Sequence, residues 1–297
     1  MKNYERFKIG VIVLNYGNPD NTLKLIHSLI KISIIKKIIL VDNFSSQNNS
    51  ILLSKKIKKI NSNKIILKLN KKNLGYGRGN NIGLKICFKN LKLNYALLLN
   101  PDVKIINFFN GNTLKKNIDF NKKIIFTGKI KEKKKYFSLY HFNEFLMISK
   151  NYKKRMSDQN MPIYCSGSCI GFTKAFWKSE GGFSSDYFLY FEELDLIYRF
   201  FNKYKKFPKI IALKSLKINH LKNRSMGEND HEISQTVDFW SSRSRLIFVK
   251  KFKAFYLLNS LIYNMLKIFQ RLIQFKLKNI FLIITASKKG LYCKIKN

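Results

Sequence analysis

Short apolar runs alternate with segments of helical periodicity over the first hundred residues. The apolar runs are "KIGVIVLNY", "KKIILVDN", "KIILKLN" and "YALLLNPD", and the helical segments between them span 21–32, 49–60 and 79–91. Strands that alternate with helices of this length are typical of βαβ units, in which helices cover both faces of a parallel sheet. The pattern therefore predicts an α/β fold with an open, mostly parallel, twisted sheet.

Polar residues stand at the end of each predicted strand. Asn15 and Tyr16 end the first strand, Asp42 and Asn43 the second, the stretch "NLGYGRGNNIG" (73–83) follows the third, and Asn100 to Asp102 the fourth. In open sheets of this kind a ligand binds beyond the carboxyl ends of the strands, where the strand order reverses. These residues are therefore expected to border one binding site.

The rest of the chain is less patterned. Residues 103–163 are rich in lysine, and only "KIIFTGKI" indicates a further strand there. The four cysteines are scattered, without the paired spacing of a zinc site, and are interpreted as reduced thiols. The apolar stretch near the N-terminus has about six residues, too few for the core of a signal peptide, so the expected location is the cytoplasm.

Charge is strongly unbalanced. Lys and Arg number 57 against 17 acids, which gives a formal net charge of +40. Such a charge favours a polyanion or an anionic membrane as partner. However, Lys, Ile, Asn and Phe are abundant together, as codon bias toward A and T would produce, so the total charge does not identify the partner. The distribution is more informative, because residues 239–297 contain thirteen basic residues and no acid.

This basic C-terminal region has helical periodicity. One stripe holds polar residues at spacings of three and four, and apolar residues fill the remaining positions; the polar stripe consists of Asn264, Lys267, Arg271, Gln274 and Lys278. A basic amphipathic helix with a wide apolar face favours an interfacial membrane anchor. The alternative is a helix docked on the catalytic domain or on a partner. We expect a catalytic domain over 1–238 and a membrane-associating region over 239–297.

The glycine-rich stretch does not match the common phosphate-binding loops. The dinucleotide fingerprint needs a third glycine, and Asn80 or Ile82 occupies that position in the two possible registers. The stretch also follows the third predicted strand, whereas "LNYGNPDN" follows the first. No Gly-Lys-Ser or Gly-Lys-Thr of a P-loop occurs. The glycines are instead expected to let the backbone approach a nucleotide closely.

Seven stretches, in order, resemble the inverting family 2 glycosyltransferases. They are "VIVLNYGNPDNTLKLIHSL", "ILVDNFSS", "NLGYGRGNNIGLK", "LLLNPDV", "SGSCIGFTKAFW", "GGFSSDYFLYFEELDLIYR" and "NHLKNRS", with a weaker match in "RSRLIFVKK". The resemblance covers about residues 7–225 and is greatest to bacterial rhamnosyltransferase-like enzymes that build surface polysaccharides. It implies the GT-A fold and a nucleotide-diphosphate sugar donor.

The resemblance also implies roles for single residues. Glu193 holds the position of the base that deprotonates the acceptor, with Glu192 as the alternative. Asp102 corresponds to a metal ligand and His220 to a histidine that helps to hold the metal or the diphosphate, so Mg²⁺ or Mn²⁺ is the expected cofactor. Asn100 stands where the family often has a further acid, which weakens the expected metal affinity.

The remaining site residues divide into two groups. Those expected to bind the nucleotide are Asn15, Tyr16, Asp42, Asn73, Gly75, Asn81 and Asp102, and those expected to contact the acceptor are Ser166 and Gly167. Asp42 could instead cap the following helix, although Ser45 and Ser46 are better placed to do so. Asp195 and Arg199, four residues apart, are expected to form an ion pair.

Taken together, the sequence predicts transfer of a sugar from a dTDP- or UDP-linked donor, dTDP-rhamnose among them, to a hydroxyl of a lipid-linked or cell-surface glycan. The protein is expected to act peripherally at the inner face of the cell membrane, on an anionic surface. Two alternatives remain. A basic nucleic-acid-binding module explains the charge, but acids in a groove repel phosphates, and no specific nucleic acid is expected. A nucleotidyltransferase on a similar sheet would show a glycine-rich, lysine-containing loop after the first strand, and "LNYGNPDN" has neither feature.

Overall fold

The computed structural model of the chain describes residues 7–132, 135–221 and 230–295. The first hundred residues form the predicted alternation of strands and helices. The elements are β1 (Ile9–Asn15), α1 (Asp20–Ile30), β2 (Ile35–Asp42), α2 (Gln47–Ile60), β3 (Ile65–Leu69), α3 (Tyr76–Lys85), which continues as a π-helical turn over Ile86–Asn90, and β4 (Tyr95–Leu99). The apolar runs become central strands because both of their faces are buried, as in β4, where every residue is buried.

These four strands are parallel and lie in the order β3-β2-β1-β4. The strand order reverses between β1 and β4, which opens a crevice beyond their carboxyl ends. The register of β1 on β2 places Asn15 beside Asp42, and Asn100 follows β4 directly. The polar strand ends therefore meet at one edge of the sheet.

The second half of the sheet is mixed. The elements that follow β4 are β5 (Val103–Asn107), α4 (Gly111–Asn117), β6 (Ile124–Glu132), β7 (Lys135–Phe137), β8 (Leu139–Asn143), β9 (Ile148–Tyr152), β10 (Ile163–Cys165), β11 (Cys169–Thr173), α5 (Lys174–Glu180), α6 (Glu192–Tyr204) and β12 (Lys209–His220). Strands β8, β9 and β10 form a separate three-stranded sheet in the order β10-β8-β9, and the other strands extend the main sheet. Strand β11 runs antiparallel to β4 and β6, and β12 runs parallel to β6 but antiparallel to β5. The parallel arrangement is therefore confined to the first four strands and the β6–β12 pair. The strand predicted at "KIIFTGKI" is confirmed as β6.

The glycines of helix α3 serve packing more than the cavity. A Cβ on Gly83 would lie 2.4 Å from a methyl of Ile12, and one on Gly79 would lie 2.7 Å from a methyl of Leu14. Only small residues on this face of α3 allow the helix to lie directly on β1. Of the glycines in this stretch, Gly75 is therefore the one at which we still expect the backbone to approach a nucleotide.

Three α-helices follow β12 in the described part of the chain. They are α7 (Asp230–Phe252), α8 (Leu257–Ile273) and α9 (Leu277–Leu291), with a 3₁₀ turn over Ala254–Tyr256 before α8. The domain boundary expected after residue 238 falls inside α7. Among the described residues, no helix is both long enough and apolar enough to cross a bilayer.

A buried carboxylate joins these three helices. Asp238 of α7 accepts hydrogen bonds from the Arg271 guanidinium of α8 at 2.7 and 3.0 Å and from the Asn279 amide of α9 at 2.7 Å, and its Oδ1 lies 3.0 Å from Lys267 Nζ. Burial alone would raise the pKa of Asp238, but the two cations and the amide lower it. The first three residues of the predicted polar stripe, Asn264, Lys267 and Arg271, therefore face inward toward α7. The last two do not: the helix ends at Ile273, and Gln274 and Lys278 beyond it are exposed.

Replacing Asp238 with Ala is expected to lower the free energy of unfolding by about 3 kcal/mol, because Lys267 and Arg271 would stay largely buried without their counter-charge. Urea denaturation measures the difference. Asp20→Ala is the matched control, since it also removes one acid but breaks only an exposed ion pair with Lys56 at 3.6 Å. That control should change stability by less than about 1 kcal/mol. Equal losses in the two variants would show that the buried cluster contributes no specific stability.

Candidate active site

A cavity of about 910 Å³ opens at the carboxyl ends of the parallel strands. Its volume lies in the range of sites that enclose small molecules. Nine of the predicted site residues form part of its wall: Tyr16, Asn73, Gly75, Asp102, Ser166, Gly167, Glu192, Glu193 and His220. Residues 222–225 of the "NHLKNRS" stretch lie outside the described residues. The fold thus gathers most of the predicted site from six separate segments of the chain.

Two predicted nucleotide-binding residues lie behind this wall. Asn15 and Asp42 are fully buried, and the Asn15 amide donates to Asp42 Oδ1 at 2.9 Å. Asp42 also accepts from the hydroxyls of Ser45 and Ser50, each at 2.5 Å. Ser46, as expected, caps helix α2 by accepting from a backbone N–H. Asn15 and Asp42 therefore tie together the carboxyl ends of β1 and β2 beneath the cavity.

Asn81, the third predicted residue away from the wall, is paired with a distant loop. Its side chain donates to the Phe183 carbonyl at 2.8 Å and accepts from the Phe183 N–H at 2.9 Å. Because one side chain satisfies both backbone groups of Phe183, it fixes the segment that leads into helix α6. The contact to a nucleotide predicted for Asn81 remains a prediction, and its observed contacts are to the protein.

Asn43, which the sequence placed at a strand end bordering the site but gave no individual role, lies in the cavity wall. Its amide donates to Asn73 Oδ1 at 2.8 Å and to the Gly75 carbonyl at 3.1 Å. Gly75 has φ +77°, and a Cβ there would lie 2.3 Å from the Phe188 carbonyl oxygen. Glycine is thus required at this position both by the backbone conformation and by the space available. The expectation that Asn43 borders the site is confirmed, and its contacts with Asn73 and Gly75 are what the sequence did not predict.

Helix α6 presents its first two acids to the cavity from a strained turn. Tyr190 and Phe191 have φ of 68° and 70°, in the left-handed region that costs non-glycine residues free energy. Glu193 Oε1 accepts a hydrogen bond from the Gly167 N–H at 2.8 Å, and the Gly167 carbonyl accepts from the Tyr76 hydroxyl at 2.6 Å. The Glu193 carboxyl is therefore held in one orientation by backbone between β10 and β11.

The environment makes both carboxyls more basic than usual. Burial raises the pKa of Glu193, although hydrogen bonds from backbone N–H groups, including that of Gly167, oppose the effect. Burial also raises the pKa of Glu192, and the neighbouring Glu193 raises it further. Glu192 Oε1 is buried and finds no hydrogen-bond partner among residues 7–132, 135–221 and 230–295. The two acids thus differ at Oε1, since the Gly167 N–H holds Glu193 Oε1 whereas Glu192 Oε1 has no partner among the described residues.

A second acidic position lies beyond β4. His220 Nε2 lies 3.4 Å from Asp102 Oδ1, and its Nδ1 lies 3.0 Å from Glu132 Oε1. Burial alone would lower the pKa of His220, but the Asp102 and Glu132 carboxylates outweigh it and raise the pKa. Asp102 Oδ1 is buried and has no hydrogen-bond partner in the described part of the chain. An unsatisfied carboxylate oxygen beside an imidazole is a donor set that Mn²⁺ or Mg²⁺ accepts.

These two side chains would not hold a cation alone. Within the described ranges, no three His, Cys, Asp or Glu side chains are gathered as metal ligands. A cation at Asp102 and His220 would therefore need further oxygens from a bound diphosphate. This is the usual situation for Mg²⁺ in nucleotide sites, where few protein ligands combine with phosphate oxygens and water.

The C-terminal helices supply a wall of the cavity that the sequence did not predict. Trp240 and Arg245 of α7 and Tyr263 of α8 line it. The Trp240 ring stacks on Phe188 with centroids 4.3 Å apart, and the Arg245 guanidinium lies 3.7 Å from the centre of the Tyr263 ring. The weak resemblance in "RSRLIFVKK", which contains Arg245, was the available signal. Residues of α7 before and after position 238 line the cavity, so the helix is part of the site on both sides of the expected domain boundary.

Comparisons with known proteins agree with this geometry. The sequence profile of glycosyl transferase family 2 matches residues 10–179. A search of curated protein sequences finds no significant match. The solved structure of GalNAc-T7 with UDP, GalNAc and Mn²⁺ superposes with a TM-score of 0.57 at 15% identity, over 82% of this chain and 49% of that one. The mannosyltransferase PcManGT from Pyrobaculum calidifontis, in complex with GDP-Man and Mn²⁺, superposes with a TM-score of 0.55 at 10% identity, over 96% and 87%.

These similarities show a shared GT-A fold, and the chain spans about half the length of GalNAc-T7. The identities are low, so the fold likeness alone assigns no substrate. The profile match, by contrast, covers more than half of the chain and extends from β1 through most of α5. The matched segment includes the carboxyl ends of β1 to β4, and also Asp102 and Gly167. The chain therefore belongs to glycosyl transferase family 2.

Proposed function

We propose that the protein is an inverting glycosyltransferase that moves one sugar from a nucleotide-diphosphate donor to a hydroxyl group of a lipid-linked or cell-surface glycan. The donor nucleotide is UDP or dTDP, with dTDP-rhamnose among the candidates. One observation carries the proposal: the oriented Glu193 carboxyl and the Asp102–His220 pair line the same cavity at the carboxyl ends of parallel strands. Inverting transfer requires a base and a stabilised leaving group in one site.

Glu193 is proposed to be the base. The acceptor hydroxyl transfers its proton to the Glu193 carboxylate as its oxygen forms a bond to the anomeric carbon. On the opposite face of the sugar the bond to the diphosphate oxygen breaks, so the configuration inverts and a nucleoside diphosphate leaves. A carboxyl whose pKa is raised by burial is a stronger base, and the Gly167 N–H keeps it oriented during the proton transfer.

Asp102 and His220 are proposed to hold Mg²⁺ or Mn²⁺ against the diphosphate. A cation bound there would offset the negative charge that develops on the departing group. Glu132, on the far side of the His220 ring, orients the imidazole by its contact with Nδ1 at 3.0 Å. Tyr16, Asn73 and Gly75 line the same cavity, and the nucleotide is expected to lie against them.

The acceptor is proposed to occupy the part of the cavity bordered by Ser166, Gly167 and the C-terminal helices. The stacked Trp240 and Phe188 rings offer a flat apolar surface of the type that lines binding sites for small molecules. We place the protein peripherally at the inner face of the cell membrane. The exposed lysines at 278, 288, 289 and 294, in a region without acids, support this location, since each Lys or Arg near an anionic leaflet contributes about 1 kcal/mol.

The proposal is tested by incubating the full chain with UDP-, dTDP- and GDP-linked sugars in the presence of Mn²⁺ and a membrane-lipid extract as acceptor source. Release of nucleoside diphosphate and incorporation of labelled sugar into lipid are measured together. We expect one nucleotide class to be used, with both signals rising in parallel and both lost when EDTA is added. If no nucleotide sugar binds or is consumed, the proposed function is wrong.

A further inference from the structure

Helices α8 and α9 turn apolar side chains outward. Among the described residues, twenty-four large hydrophobic side chains are exposed, and thirteen of them lie between Phe255 and Tyr292. The catalytic part of the chain, more than four times longer, contributes the other eleven. Such a concentration on one surface of a protein marks an interaction site.

The two sides of α8 are separated cleanly. Seven exposed apolar residues fall within an arc of about 120° around the helix axis: Leu258, Ile262, Met265, Leu266, Phe269, Leu272 and Ile273. The inward residues Ser260, Asn264, Lys267 and Arg271 fall within the opposite arc of about 60°. Helix α8 is thus amphipathic with its polar side against the protein.

Helix α9 repeats this arrangement. Leu277, Phe281 and Ile284 are exposed on one side, while Asn279, Ile283, Ala286 and Gly290 are buried on the other. A Cβ on Gly290 would lie 2.8 Å from the Arg243 carbonyl oxygen of α7, so α9 lies directly on that helix. We call the exposed apolar sides of α8 and α9, with Phe255 and Phe275 at the ends of α8, the outward face.

The buried Asp238 cluster fixes this orientation. Rotating α8 to bury its apolar side would remove Lys267 and Arg271 from Asp238 and would expose or orphan the Asn264 amide, which donates to Ser287 Oγ of α9 at 3.0 Å. Leaving a buried carboxylate without its cations is strongly unfavourable. The outward face is therefore a defined property of the folded chain.

The charges around the outward face favour an anionic bilayer over a second copy of the chain as its partner. Residues 239–297 contain no acid, and Lys278, Lys288, Lys289 and Lys294 are exposed beside or beyond the apolar side of α9. A second copy of the chain would bring four such lysines from each partner together without any acid to neutralise them. A bilayer with anionic headgroups supplies both an apolar interior and the opposite charge.

We propose that the outward face of α8 and α9 inserts into the interfacial layer of an anionic bilayer, with the two helices lying parallel to the membrane surface. Phe255 and Phe275, each 91% exposed, would anchor the two ends of α8. Tyr263, on the same helix, borders the cavity, so the inserted helix also forms part of the cavity wall. This inference deepens the membrane location proposed above and rests on it, but not on the transfer chemistry.

Deleting the C-terminal region cannot test this inference cleanly, because Trp240, Arg245 and Tyr263 would be lost from the cavity as well. Point substitutions on the outward face avoid the problem. The test variant is the double substitution Met265→Gln and Phe269→Gln, at positions 67% and 61% exposed. The matched control is Ile51→Gln and Leu52→Gln, which removes two exposed apolar side chains from α2 instead.

The full chain and both variants are sedimented with vesicles of phosphatidylcholine alone and of phosphatidylcholine mixed equally with phosphatidylglycerol. The wild type and the α2 control are expected to bind the mixed vesicles, and the α8 variant to bind them about 10- to 100-fold more weakly. In addition, Phe269→Trp is expected to add fluorescence that brominated lipids quench. Unchanged vesicle binding by the α8 variant, or a signal from the introduced indole that brominated lipids leave unquenched, would overturn the inference.

Two further measurements separate the possible failures. Light scattering gives the oligomeric state, and a dimer that the α8 variant dissociates, without vesicle binding, would assign the face to a second copy and overturn the inference. Nucleoside diphosphate release without vesicles should be unchanged in the α8 variant. If release is normal and vesicle binding is absent in the wild type, the membrane inference fails while the proposed function stands.

Discussion

Replacing Glu193 with Gln is expected to lower the rate of sugar transfer by about 10²- to 10⁴-fold, the contribution typical of general base catalysis. Glutamine has the same size and can still accept the hydrogen bond from the Gly167 N–H, which Glu193 accepts at 2.8 Å. The variant therefore keeps the geometry and removes the group that takes the proton. Donor affinity, measured by calorimetry with UDP or dTDP, should stay close to that of the wild type.

Glu192→Gln is the decisive comparison for this prediction. Glu192 Oε1 is buried without a hydrogen bond from any described residue, so the neutral amide changes local electrostatics but should lower transfer less than the substitution at Glu193. Glu180→Gln, at the end of α5, serves as the control for loss of an acid elsewhere. If Glu192→Gln were the more damaging variant, the base would have to be assigned to Glu192.

Replacing Asp102 with Ala is expected to lower transfer by about 10³-fold, because charge stabilisation of the leaving group is worth several kcal/mol. The physical reason is local. Asp102 Oδ1 is a buried carboxylate oxygen that has no hydrogen-bond partner among the described residues, and His220 Nε2, 3.4 Å away, is the other ligand proposed from the protein. Binding of UDP or dTDP should lose its dependence on Mn²⁺, which calorimetry with and without the cation measures independently of turnover.

The matched control for this variant is Asp119→Ala, which removes an exposed acid from the turn before β6. It should leave both turnover and the Mn²⁺ dependence of nucleotide binding close to the wild type. His220→Ala should show a smaller loss than Asp102→Ala, because a carboxylate contributes charge as well as a ligand atom. Mn²⁺-dependent nucleotide binding that survives in Asp102→Ala would remove Asp102 from the proposed cation site.

The sequence was sufficient for the order of strands and helices in the first hundred residues and for the clustering of polar strand ends. Periodicity is a local property, and the carboxyl ends of parallel strands must share one edge of a sheet. The sequence could not predict which of two adjacent residues at a strand end faces the cavity. Asp42 lies beneath the wall and Asn43 lies in it, because adjacent residues at a strand end point in opposite directions.

The sequence by itself therefore determined the α/β architecture and the family. It also identified Asp102, Glu192 and Glu193 as acids of the site, and all three lie in the cavity wall. The tertiary structure decided the rest through contacts between distant residues. Gly167 fixes Glu193 across 26 positions, and Asp238 reaches Arg271 across 33. The second contact shows the physical reason most clearly: periodicity places polar residues on one side of a helix, but only a buried partner elsewhere in the chain decides whether that side faces water or the protein.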